Sequence, residues 1–129
     1  MGFPATVLVI DDDPDFRSMV GEELSRAGFG VTEAEGGEQG VQALHNADVD
    51  VILLDLQMPG TDGFGVLNYI QKTNKDFPVI LLSGLPPDQI QKSIKRLSNR
   101  NLPPLLLKPV DPNQLLNIIA MRLTGELPS

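Results

Sequence analysis

The sequence predicts an α/β domain built on an open parallel sheet. Three observations carry that reading. Four short, nearly continuous apolar runs recur along the chain: Val7–Ile10, Val49–Leu54, Val79–Leu82 and Leu105–Leu107. Segments with helical spacing separate them. Strand candidates end on polar residues at their carboxyl ends. Continuous apolar runs suit strands buried on both faces, as in a parallel sheet, rather than strands with one wet face. Strand and helix in alternation imply right-handed crossovers.

The elements follow in order. Val7–Ile10 is the first strand. Asp13 can cap a helix that opens on Pro14, with Phe16, Met19, Val20 and Leu24 at inward spacing and Gly28 past its end. Val31–Glu35 has mixed polarity and reads as an edge strand. Glu38–Asn46 is a second helix with Val41 and Leu44 inward. Val49–Leu54, with Asp50 inside it, is the third strand. Pro59-Gly60 and Asp62-Gly63 mark a turn-rich loop. Gly63–Thr73 is a third helix, with Phe64, Leu67 and Ile70 inward. The strand Val79–Leu82 leads to a fourth helix, Pro87–Leu97, carrying Ile90, Ile94 and Leu97. The strand Leu105–Leu107 leads to a last helix, Asp111–Leu123, with Pro112 in its first turn and Leu115, Leu116, Ile118 and Ile119 inward. No repeat or internal linker interrupts the βαβαβαβαβα order.

The chain has 129 residues, which suits one domain, residues 1–129, with a core over about 6–123 and short tails. Its 10 basic and 17 acidic residues give a net charge of −7, which argues against gripping nucleic acid. With no Cys, disulfides, thiolate-bound zinc, iron–sulfur clusters and thiol catalysis are excluded. The lone histidine, His45, is assigned no role, and no two-histidine metal site is possible. No apolar run nears the ~18 residues of a membrane span, and no basic-then-apolar leader follows Met1. A cytoplasmic protein without membrane attachment is expected.

The polar strand ends carry the chemistry. Ile10 is followed by Asp11-Asp12-Asp13, Leu54 by Asp55, Leu82 by Ser83 and Leu107 by Lys108. In open α/β sheets ligands bind outside the carboxyl ends of the strands, where the strand order reverses. If the first and third strands are neighbours, Asp11, Asp12 and Asp55 converge. Three carboxylates about 4–5 Å apart repel by roughly 3–4 kcal/mol per pair at an effective dielectric near 20. Such a site holds a proton or recruits a cation. Oxygen ligands without His or Cys select a hard ion, Mg²⁺ first and Mn²⁺ next. Lys108 adds a movable positive charge and Ser83 a hydroxyl donor. Together they suit phosphoryl transfer onto a carboxylate, with Asp55 as the nucleophile and the carboxylate expected deepest in the pocket. Each segment alone has a plainer reading: a helix cap with two solvated acids, a turn residue, a loop start. The joint placement of four segments at one sheet edge favours the site.

The runs Val7–Asp13, Val51–Gly60 with Asp62-Gly63, Val79–Gly84 and Leu107–Pro109 together resemble the receiver domain of two-component response regulators. The resemblance covers about Thr6 to Leu123. It implies a flavodoxin-like (βα)5 three-layer sandwich whose five-stranded parallel sheet has the order 2-1-3-4-5. It implies that Asp55 is the phosphoacceptor and that Asp11 and Asp12 hold Mg²⁺, with Asp55 and the backbone carbonyl of Gln57 completing the protein ligands. It implies that Lys108 pairs with a phosphoryl oxygen and that Ser83 is the hydroxyl that moves to it. A cis peptide before Pro109 is implied as well. The implied partner is a histidine kinase or a histidine phosphotransfer protein, and the chain a monomer or weak dimer that assists its own phosphorylation without being an enzyme. Two positions depart from the family pattern. Leu105 stands where the family commonly has Tyr or Phe, and Ser98–Pro104 replaces a Gly-Ala-type turn. Leu105 is expected to stay buried.

Three other functions fit these residues less well. A pseudo-receiver binding module would have lost chemical positions that are all filled here. An Mg²⁺-dependent aspartyl-phosphate phosphatase wants a second Asp two residues after the nucleophile, where this chain has Gln57. A flavin carrier wants a Ser/Thr/Gly loop after the first strand, where this chain has three acids.

Overall fold

Strand β1 (Thr6–Ile10) takes the interior of the sheet because its residues after Thr6 are fully buried and both of its backbone edges are paired. The computed structural model describes residues 5–46, 48–58, 61–73, 77–86, 88–89 and 103–124. On one side β1 pairs in parallel with β2 (Gly30–Ala34), on the other with β3 (Val51–Asp55). After a short antiparallel pair, β4 (Gln57–Met58) and β5 (Thr61–Asp62), the sheet continues with β6 (Val79–Ser83) and β7 (Leu105–Leu107). The order β2-β1-β3-β6-β7 is the expected 2-1-3-4-5 once the hairpin strands are set aside.

The helices α1 (Pro14–Arg26), α2 (Gly37–Asn46), α3 (Gly63–Thr73) and α4 (Pro112–Thr124) cover the sheet. Alternate strand residues face opposite sides. Val7, Val9, Leu53 and Leu82 share one core with α1 and α4, through Val20, Leu24, Leu115 and Ile119. Leu8, Ile10, Leu54 and Leu81 share the other with α3, through Leu67 and Ile70. Two cores separated by one sheet make three layers, which is why the strands read as unbroken apolar runs.

Local chemistry sets the ends. Asp13 caps α1, its carboxylate accepting from the Asp15 N–H at 3.0 Å, and Pro14 opens the helix. Gly28, with φ of 97°, takes the left-handed turn after α1 that other residues adopt with strain.

Several expectations need correction. Val49 and Asp50 lie before β3: the Asp50 carboxylate accepts from the Thr6 N–H at 2.7 Å and so ties down the start of β1. Met19 points outward, 43% exposed, because the buried stripe of α1 is the strict four-residue repeat Phe16, Val20, Leu24. Gly37 and Gly40, not Val41, form the buried line of α2, since a Cβ at position 40 would lie 2.5 Å from the Ile10 side chain. Leu107 is 44% exposed and Leu105 only half-buried, because β7 is an edge strand with one neighbour among the described residues. The turn-rich loop holds the β4–β5 pair. The expected helix Pro87–Leu97 lies outside the described residues except for Asp88 and Gln89, as do Pro59-Gly60 and all of Ser98–Pro104 but Pro103 and Pro104.

Candidate functional site

Asp11 is delivered by the end of β1, where its N–H donates to the Ala34 carbonyl at 3.1 Å. It is fully buried. One carboxylate oxygen accepts from the Asp13 N–H at 2.9 Å, and the other from the Lys108 ammonium at 2.6 Å. The backbone of Asp11 is fixed by Arg17, whose Nη1 donates to its carbonyl at 2.7 Å while Nε pairs with Glu33 at 3.1 Å. Asp12 is exposed at the rim. The Asp triplet is therefore divided: Asp13 caps the helix, Asp12 faces solvent and Asp11 enters the pocket.

Asp55 closes β3 and, at 2% exposure, is buried as Asp11 is. Its Oδ1 accepts from the Gln57 N–H at 3.0 Å, and its Oδ2 lies 3.5 Å from the Lys108 ammonium. Gly63, the first residue of α3, lies flush against it: a Cβ there would stand 2.7 Å from both the Asp55 carbonyl oxygen and the Leu56 Cα. Lys108 follows β7, and its N–H donates to the Ser83 carbonyl at 2.8 Å. The Lys108–Pro109 peptide is cis. Ser83 is buried at the end of β6, its Oγ accepting from the Leu85 N–H at 3.0 Å.

The fold thus brings Asp11, Asp12, Asp55 and Lys108 to one spot, with Ser83 on the neighbouring strand end. Oxygens of the three carboxylates lie within 4.8 Å of one another. With all three ionised, one ammonium leaves two negative charges unbalanced, which a divalent cation would match. The donors are all oxygen, so the cluster fits a hard ion. Burial pushes the Asp55 carboxyl up to about 6; the Gln57 N–H opposes this, Asp11 adds to it, Lys108 opposes it and Asp12 adds to it. Burial acts to lower the Lys108 ammonium, but its hydrogen bond to Asp11 and the charges of Asp55 and Asp11 outweigh that and leave it raised.

Three contacts at the site escaped the sequence reading. The Phe16 ring lies 4.3 Å from the Lys108 nitrogen. Arg17 braces Asp11, as above. The Gln57 side-chain oxygen accepts from the Gly84 N–H at 2.9 Å and ties the hairpin to the loop after Ser83. Only Arg17 left a signal in the sequence, as a basic residue one turn beyond an acidic run.

Among the described residues no helix is long and apolar enough to cross a membrane. A family model described as the response regulator receiver domain matches residues 7–120. The transcriptional regulatory protein GlrR of Escherichia coli is 33% identical over 128 residues, covering 98% of this chain and 28% of GlrR. This chain therefore spans under a third of that relative. Chemotaxis protein CheY4 of Vibrio cholerae superposes with a TM-score of 0.81 at 28% identity, covering 93% of this chain and 99% of that one. The response regulator TrrA of Thermotoga maritima, solved in complex with Mg(2+)-BeF, gives a TM-score of 0.79 at 27% identity over 92% of this chain and 99% of TrrA. With these likenesses joined to the acid cluster and its lysine, the chain belongs to the response regulator receiver domains, phosphorylatable modules of two-component signalling.

Proposed function

We propose that Asp55 accepts a phosphoryl group from the phosphohistidine of a histidine kinase or histidine phosphotransfer protein. The observation that supports this most is Lys108 set between Asp11, at 2.6 Å, and Asp55, at 3.5 Å, in a cluster of three acids. A carboxylate oxygen of Asp55 attacks phosphorus; the P–O bond forms, the P–N bond breaks, and the leaving imidazole takes up a proton. Asp11, Asp12, Asp55 and the Gln57 carbonyl would hold Mg²⁺, with Mn²⁺ the next fit. When bound, that ion neutralises charge on the transferring group. Lys108 exchanges a carboxylate oxygen for a phosphoryl oxygen, and the Ser83 hydroxyl turns to donate to another. Release of the phosphoryl group to water is slow, so the domain acts as a switch or relay in the cytoplasm, as a monomer or weak dimer.

The test is incubation with acetyl phosphate and Mg²⁺. One phosphoryl mass should appear and be lost in hydroxylamine, as an acyl phosphate is. Undiminished labelling of Asp55→Asn would sink the assignment.

A further inference from the structure

We infer that Phe16 is a positioning residue for Lys108, its ring face holding the ammonium over the acid cluster. The inference rests on the reading of Lys108 given above.

Phe16 sits in the first turn of α1, just after the cap Asp13. It begins the buried stripe Phe16, Val20, Leu24. Val20 and Leu24 are 1% and 0% exposed and pack in the core; Phe16, at 8%, also reaches the pocket, where the Lys108 nitrogen stands 4.3 Å from its ring centroid. The ammonium has three N–H donors. Asp11 at 2.6 Å and Asp55 at 3.5 Å occupy its acid side. The ring supplies a partner for the remainder. An aromatic face carries negative potential, and its attraction for a cation strengthens as water is excluded. A leucine would fill the same core slot but present no such face. The contact has a further use. During phosphoryl uptake the ammonium changes oxygen partners, while the ring attracts it whichever oxygen it holds. Phe16 therefore keeps the amine in place through the exchange.

The experiment replaces Phe16 in the full chain by mono-, di- and trifluorophenylalanine, which withdraw the negative face with little change of volume. Labelling of Asp55 by acetyl phosphate and Mg²⁺ should slow stepwise, by about 3- to 10-fold over the series. The Mg²⁺ concentration for half-maximal rate should not move, and Phe16→Tyr should keep the rate. Independently of activity, the ε-methylene protons of Lys108 should be shifted upfield by the ring current in the metal-free chain, and Phe16→Leu should lose that shift. Equal rates across the fluorinated series, or ordinary ε-proton shifts in the unsubstituted chain, would overturn the inference. An unsubstituted chain that takes up no phosphoryl group refutes the functional reading instead, and the proton shifts then decide the Phe16 contact alone.

Discussion

Asp55 makes the metal-free domain lose stability as the pH rises through the range where most carboxylates confer it. The perturbation is Asp55→Asn, a near-isosteric swap for the neutral acid. In the fold the carboxyl is pushed up to about 6, from an ordinary 3.8. The folded state therefore binds this proton more tightly than the unfolded state. The contribution is fully present below about pH 4 and is lost as pH rises through about 6, the reverse of a salt-bridged aspartate. A shift of roughly two pH units corresponds to about 3 kcal/mol. Asp55→Asn never ionises and escapes that loss. It should match the parent near pH 4 and exceed it by up to about 3 kcal/mol at pH 7, or roughly 10 °C in Tm for a domain of this size. Urea unfolding in EDTA at pH 4 to 8 reads the difference, which cancels the other titrating groups. A difference that stays flat across that range would refute the reasoning, because it would mean that the fold does not raise this carboxyl.

The same proton competes with metal. Mg²⁺ affinity, measured by calorimetric titration, should fall about tenfold per pH unit below pH 6 and level off above it; a pH-independent affinity contradicts this. Gly63→Ala puts a Cβ 2.7 Å from the Asp55 carbonyl oxygen and should cost about 2 kcal/mol or more in urea unfolding while slowing Asp55 labelling; parental values for both would show that α3 can shift freely. Gln57→Ala removes the acceptor for the Gly84 N–H, 2.9 Å away, so exchange of the Gly84 amide should quicken with little change in global stability; unchanged exchange would show that the hydrogen bond does not hold the loop.

What the sequence displayed and what it hid divide along a physical line. Strand runs were legible because burial on both faces leaves no polar alternation to confuse. The Asp13 cap was legible because Asp-Pro at a helix start is local chemistry. Asp55 and Lys108 were legible because strand ends converge in this architecture whatever the details of packing. Leu107 and Leu105 were misjudged because exposure there depends on β7 lying at the sheet edge, a property of strand order and not of three leucines. Met19 was misjudged because Met19 and Val20 both satisfy helical spacing, and only the packed structure chooses between them. The Phe16 and Gln57 contacts join distant segments, so no local pattern announces them.

In the proposed function two buried strand-end acids take different parts, and the asymmetry of Lys108 supports that division. Its ammonium stands at hydrogen-bonding distance from Asp11 and 0.9 Å farther from Asp55. Asp11 also accepts from the Asp13 N–H, and Arg17 pins its backbone, so its orientation is fixed from three directions. Among the described residues Asp55 has one backbone donor, the Gln57 N–H, and only the longer ion pair. Burial without full compensation is what raises its carboxyl. Ionised, it carries charge that Lys108 alone does not balance, which suits the proposed parts of cation ligand and nucleophile. A fully paired Asp55 would be stable and inert. The added distance to Lys108 leaves room for chemistry at Asp55, while the tight pair with Asp11 keeps the lysine close enough to follow it.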